Sequence, residues 1–264
     1  MKRRQILLFL STTLTSLLLV LGLQLFNLAP APSQQKTLLV SAAASLKDVL
    51  EEIRPMFQNA NPGMKVTFNF GASGALLQQI EQGAPADVFI SAANRQMDTL
   101  DQQGDLLPGT RSNLANNRLV LIAPKNNRTV TSFQSLTQPD VKRISVGEPR
   151  SVPAGQYAEQ VLQKLKLMDQ VKPKLVFANT VRQVLAAVES GNADAGMVYV
   201  TDAKISDQVR TIAIADANTH VPIVYPMAAL KSSKNQEAAK TFLRFLSGNQ
   251  AKSVLRKYGF IVPR

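Results

Sequence analysis

The stretch Thr37-Leu38-Leu39-Val40-Ser41-Ala42-Ala43-Ala44-Ser45-Leu46-Lys47-Asp48 holds the fold class in miniature. Its opening is a short, uninterrupted apolar run, the pattern of a buried strand. Small residues and a serine follow. Leu46, Val49, Leu50, Ile53 and Phe57 then recur at the spacing of one helical face, which predicts a helix over 46–59. A strand that passes through small side chains directly into a helix is the opening half of a strand–helix–strand unit.

The alternation continues outward from there. Asn61-Pro62-Gly63 makes a turn, 66–70 alternates as a strand, and 75–81 reads as a helix ending near Gly83. A short buried strand is expected at 87–90, a helix around 97–100, and a strongly apolar strand at 118–123, closed by Pro124. Farther on, strands are expected at 143–146, 174–178, 196–199, 209–214 and 223–228. Helices are expected at 154–165, 181–190, 237–246 and 251–258. No fixed-period repeat is present. The order implies an α/β protein with largely parallel sheets. The chain beyond residue 35 is long for a single core, so one large or two smaller lobes are expected.

Four of the helices begin in an unusual way. Ala42-Ala43-Ala44-Ser45, Gly71-Ala72-Ser73-Gly74, Val152-Pro153-Ala154-Gly155 and Asn179-Thr180-Val181 put small or hydroxyl residues at helix starts, with no charge on them. The first turn of a helix offers N–H groups without intrahelical partners and the positive end of its dipole. Small residues let an anion reach that backbone, and serine hydroxyls add donors. Each start alone has an ordinary explanation. Ser45 with Asp48 has the form of a capping box, and Ser73 or Thr180 suits an N-cap. Together they lie after strands, at the carboxyl ends where open α/β sheets bind ligands. Donors without counter-charges suit a fully deprotonated oxyanion, which only accepts hydrogen bonds.

Composition narrows the classes. Lys2, Arg3 and Arg4, a charge-free apolar run to about Leu28, and Ala29-Pro30-Ala31-Pro32-Ser33 have the form of an export signal cut by a peptidase. The alternative is a retained anchor. The formal charge is +12, and residues 1–35 hold three of those positives and no acid, which leaves +9. Aromatics are 6% and Trp is absent, with lysines and arginines scattered, so a stacking platform for nucleic acid is not expected. The chain has no cysteine and one histidine, His220, which excludes thiolate and imidazole-rich metal sites.

Several segments carry a family resemblance. Ala42-Ala43-Ala44-Ser45-Leu46, Phe70-Gly71-Ala72-Ser73-Gly74-Ala75-Leu76 and Gly83-Ala84-Pro85-Ala86-Asp87-Val88-Phe89-Ile90-Ser91-Ala92 are three of them. Val152-Pro153-Ala154-Gly155-Gln156-Tyr157, Gly196-Met197-Val198-Tyr199 and Tyr258-Gly259-Phe260 are the others. In this order and spacing the chain resembles the periplasmic molybdate-binding proteins of ABC-type transporters, over about residues 37–260.

The resemblance implies a type II periplasmic-binding-protein fold: two lobes, each a mixed, mostly parallel sheet flanked by helices. Lobe one would take 36–121 and 224–264 and lobe two 122–223, with strands 119–123 and 223–228 crossing between them. It also implies an extracytoplasmic, monomeric, non-enzymatic carrier without cofactor, whose cargo is molybdate or tungstate and whose partner is an ABC permease with its ATPase. The ligand-binding positions fall on Ser45, Ser73, Ala154, Val181 and Tyr199, as hydroxyl or backbone donors to the oxyanion rather than ligands of a cation. The chain departs from the pattern at Ala72, where relatives often have a second serine. It departs again at Asn179-Thr180, where many have acids.

Two rivals remain at this stage. A sulfate or thiosulfate carrier needs the same donors. A serine hydrolase would use Ser73 in Gly71-Ala72-Ser73-Gly74-Ala75, which misses the nucleophile-elbow pattern at Ala75, together with His220 from a polar turn. Asp48, Glu51 and Glu52 read as a solvated helix face rather than a metal site.

Overall fold

The computed structural model describes residues 36–263; the export-signal expectation for 1–35 lies outside them. The chain builds β1 (Lys36–Ala43), α1 (Lys47–Ala60), β2 (Met64–Gly71), α2 (Ser73–Glu81), β3 (Val88–Ile90), α3 (Asn94–Gln102) and β4 (Ser112–Asn116). There follow β5 (Leu119–Pro124), β6 (Ile144–Gly147), α4 (Pro153–Lys164), a short α5 (Met168–Val171), β7 (Leu175–Ala178), α6 (Val181–Glu189), β8 (Ala195–Tyr199), α7 (Val200–Lys204) and β9 (Val209–Ile214). It closes with β10 (Val224–Ala229), α8 (Gln236–Leu246) and α9 (Asn249–Lys257).

Two five-stranded sheets result, ordered β2-β1-β3-β10-β4 and β7-β6-β8-β5-β9. In the first, β1 runs parallel to β2 and β3, while β10 is antiparallel to both its neighbours. In the second, β6 runs parallel to β7 and β8, while β5 is antiparallel to both of its own. Each sheet is thus mixed with one reversed strand, and that strand is the one arriving from the other sheet. β5 pairs within the second sheet along its whole length, and Asn117 and Arg118 link it to β4 of the first sheet. The return runs through 215–223, and the Asn117 N–H donates to the Ile223 carbonyl at 3.1 Å, tying the two crossings together.

The helices form where the spacing says they should. α1 buries Val49, Leu50, Ile53 and Phe57, and the Phe57 ring meets Phe242 of α8 edge-on at 5.0 Å. Burial of side chains of this size stabilises by about 1.5–3 kcal/mol each. β4 has no counterpart among the expected strands. Ser112, Asn113 and Asn116 have low strand propensity, and pairing with β10 at the sheet edge overrides it.

This topology positions the site. β1, β2, β6, β7 and β8 all end at the same cleft, and each delivers the chain into a helix or a tight turn there. Gly155, in the first turn of α4, is needed for one of these junctions. A Cβ on it would overlap the Gly147 carbonyl, so only glycine lets α4 begin so close to the end of β6.

Candidate functional site

Ser45, Ser73, Ala154, Val181 and Tyr199 come from five separate segments, and all five line one small cavity between the two sheets. Its other walls are also small and neutral, among them Ala43, Ala72, Ala92 and Pro153. The cavity volume is ≈ 10 Å³. That is about the room of one water, far below the ~300–1,000 Å³ of drug-sized sites. No lining side chain is charged.

The donors are arranged so that their hydrogens remain available. Ser73 opens α2, Ala154 lies in the first turn of α4, and Val181 opens α6. At these positions an N–H has no intrahelical acceptor. Among the described residues none of the three donates to another carbonyl either. Ser73 is fully buried, and its Oγ accepts from the Ala92 N–H at 3.0 Å, which leaves its own proton to give. Tyr199 is 1% exposed, and its hydroxyl has no hydrogen-bond partner. Burial pushes that phenol well above its ordinary range, so it stays protonated. A buried hydroxyl without a partner costs about 1–3 kcal/mol, and a ligand oxygen would relieve that cost.

The capping explanations separate cleanly. Thr180 is an N-cap, its side chain accepting from the Gln183 N–H at 3.2 Å. Ser45 is not. It sits in a 3-10 turn, Ala44–Leu46, without a side-chain cap bond, and its Oγ meets the Tyr225 hydroxyl at 2.9 Å. Asp48 keeps 39% of its side chain exposed, as a helix face would, and also reaches across the cleft. Its carboxylate lies 2.6 Å from Arg182, whose Nε lies 2.7 Å from the buried Asp202. These are ion pairs by distance, but several of their atoms fall outside the directional range of a hydrogen bond. Arg182, the cation next to Val181, is therefore held by two carboxylates instead of reaching into the cavity. Burial lifts the Asp202 carboxyl to about 6, with Arg182 pulling the other way.

Contacts across the cleft hold the lobes closed over this cavity. Gly74 N–H donates to the Ser151 carbonyl at 2.9 Å, Tyr157 Oη donates to the Ala92 carbonyl at 3.3 Å, and Arg182 donates to the Ser45 carbonyl at 3.3 Å. Sequence reading missed Asn117 and Tyr225 as parts of this assembly. Tyr225 lies in the apolar run Val224-Tyr225, where an aromatic reads as core. For the hydrolase reading, the His220 Nδ1 bonds the Val221 carbonyl at 2.8 Å, and among the described residues no hydrogen bond joins it to Ser73.

Two lobes that close over a cavity lined by uncharged donors describe a protein that captures a small solute. The chain belongs to the bacterial extracellular solute-binding proteins, whose family model it matches over residues 38–261. It is 40% identical over 253 residues to the molybdate-binding protein ModA of Haemophilus influenzae, covering 94% of this chain and 97% of that one. The periplasmic molybdate-binding protein of Azotobacter vinelandii superposes with a TM-score of 0.78 at 30% identity, covering 86% of this chain and 100% of that one. The sulfate-binding protein SubI of Mycobacterium tuberculosis superposes with a TM-score of 0.75 at 15% identity, covering 85% and 86%, a likeness of fold alone. Among the described residues no helix is long and apolar enough to cross a membrane.

Proposed function

We propose that this chain captures molybdate, and tungstate by the same contacts, between its lobes outside the cytoplasm. As a monomer it then hands the ion to the permease of an ABC importer. The observation that carries the reading is a small cavity between the lobes, lined by donors with no charged side chain. Ser73, Ala154 and Val181 offer free helix-start N–H groups, Ser45 and Ser73 offer hydroxyls, and Tyr199 offers a buried phenol without a partner. A tetrahedral dianion presents only acceptors, so each of these donors finds an oxygen. Three helix starts spread partial positive charge around it without a lysine or arginine that would have to be desolvated. Of the similar proteins above, the two at 30% identity or more are both named for molybdate, the same cargo.

Binding and closure belong together in this mechanism. Ser45 and Ser73 sit on the first sheet's lobe, and Ala154, Val181 and Tyr199 on the second's, so neither half completes the ligand shell alone. The lobes move as bodies about Asn117 and Arg118 on one strand of the hinge and 215–223 on the other. The anion selects the closed arrangement because only there does it meet both sets of donors.

Calorimetry of the chain from residue 36 onward with molybdate, tungstate, sulfate and phosphate tests the reading. Molybdate and tungstate are expected to bind tightly and raise the melting temperature, with sulfate and phosphate far weaker. Sulfate binding as tightly as molybdate would overturn the cargo in favour of a sulfate carrier built on the same donors.

A further inference from the structure

The Ser45 hydroxyl can in principle donate to a ligand or accept from one, and its surroundings decide which. Asn117, at the first crossing between lobes, is the starting point. Its Oδ1 accepts from the Arg118 N–H at 2.9 Å, which fixes the orientation of the amide. Its Nδ2 therefore points the other way, donating to Thr201 Oγ1 at 2.9 Å and to Tyr225 Oη at 3.3 Å. A phenol has one proton. With the Tyr225 oxygen already accepting from Asn117, the contact with Ser45 Oγ, 2.9 Å away, is best satisfied by Tyr225 giving that proton to the serine. The serine oxygen is then already accepting, and its own proton is left for the cavity.

The chain of bonds is held in place. Tyr225 is 0% exposed, and its ring is gripped edge-on by Phe260 at 5.4 Å and Tyr199 at 5.8 Å, so its hydroxyl has no route to water. Burial also pushes this phenol upward, so it keeps its proton at any physiological pH.

We infer that Asn117 and Tyr225 are positioning residues that hold the Ser45 hydroxyl as a donor toward the cavity, and thereby contribute to selection against oxyanions that carry a proton. The inference rests on the oxyanion-binding reading above. An anion such as hydrogen phosphate brings a donor of its own and needs an acceptor in the site. A freely rotating serine can turn a lone pair to that donor, whereas one whose oxygen accepts from Tyr225 holds its proton, and not its lone pairs, toward the cavity.

The test is a competition measurement: the phosphate concentration that displaces half of bound molybdate, at a mildly alkaline pH where both are dianions. It is run on the wild-type chain, Tyr225→Phe and Asn117→Asp, with circular dichroism to check folding. Tyr225→Phe keeps the ring and removes the donor to Ser45. Asn117→Asp keeps the shape but can only accept. It draws the Tyr225 proton toward itself and makes Ser45 donate to the phenol oxygen instead of the cavity. The added negative charge repels two dianions alike, so the preference for molybdate over phosphate isolates the direction of the bonds. That preference is expected to fall about tenfold in both variants, the scale of one charge-assisted hydrogen bond.

Variants that weaken both anions by the same factor would reduce Asn117 and Tyr225 to ordinary packing and sink the relay. If Tyr225→Phe fails to fold, Asn117→Asp decides alone. A wild-type chain that binds molybdate while the variants keep its selectivity overturns the relay only. A wild-type chain that binds neither anion overturns the reading beneath it, and the relay with it.

Discussion

Replacing Gly74 by alanine separates closure from chemistry, because this glycine meets the other lobe without lining the cavity. A Cβ built there lies 2.7 Å from the Ser151 carbonyl oxygen and 2.8 Å from its Cα, where ordinary contact begins at 3.4 Å. Both atoms are backbone and cannot rotate away. The lobes must therefore part by about 0.7 Å at this point, the difference between 3.4 and 2.7 Å. A hydrogen bond of ordinary length stretched by that much reaches about 3.6 Å, where it no longer counts as one. The donors of the second lobe, Ala154, Val181 and Tyr199, carry that displacement.

Hydrogen bonds to a charged partner are worth about 1.5–3 kcal/mol each. Even if the hinge absorbs the strain at all but one of these donors, Gly74→Ala weakens molybdate binding about ten- to a hundredfold. The ligand-free protein tells a different story. Position 74 lies inside α2, where alanine is favoured over glycine by up to about 1 kcal/mol, so its melting temperature is expected to hold or rise. Calorimetry reads the affinity, and small-angle scattering reads the compaction at saturating ligand. Wild-type affinity with full compaction would refute the claim that direct contact between Gly74 and Ser151 sets the closed geometry.

Other changes discriminate between the roles of individual donors. Ser45→Ala and Ser73→Ala should each weaken binding tenfold to more than a hundredfold by calorimetry, from about 1.5–3 kcal/mol per bond. Both should also lower the melting temperature, because Ser73→Ala leaves the buried Ala92 N–H without its acceptor and Ser45→Ala does the same to the buried Tyr225 hydroxyl; an unchanged melting temperature in either would contradict that. Tyr199→Phe should lose affinity yet leave the ligand-free protein as stable or more so, since its hydroxyl has no protein partner to lose. A drop in ligand-free stability would argue that this phenol is structural. Arg182→Ala should cost about 3 kcal/mol of stability at neutral pH, because Asp202 is left buried without its cation. The sign with pH follows from Asp202. Its folded value of about 6 lies above the ordinary 3.8, so its contribution to stability grows as pH falls from about 6 toward 3.8 and is least favourable above 6. Removing Arg182 takes away a charge that holds that value down, so the cost of Arg182→Ala should shrink on acidification. Denaturant melts showing the same cost at both ends of that range would sink this account.

What was legible in the sequence was legible because it is local. Apolar runs marked β1 and β5 and helical spacing marked α1, since these patterns depend on a few neighbours in the chain. The helix starts at Ser73, Ala154 and Val181 were readable for the same reason: small residues after a strand and before a helix leave N–H groups open wherever the fold carries them. The same reading singled out Ser45 after β1, and the family pattern added Tyr199. Local grammar also misled. Ser45 and Asp48 spell a capping box, yet Ser45 bonds a tyrosine 180 positions away and Asp48 pairs with an arginine of the other lobe. β4 escaped notice because its polar residues become a strand only when β10 supplies the partner. The crossing at Asn117, the clamp of Arg182 between Asp48 and Asp202, the contact of Gly74 with Ser151 and the donation from Tyr225 to Ser45 join residues far apart in the chain. Backbone preferences and periodicity act over a few residues and say nothing about such pairs. Only the tertiary fold, within one lobe for Tyr225 and Ser45 and between lobes for Gly74 and Arg182, brings them within bonding distance, and it decides which hydroxyls face the cavity with a proton to give.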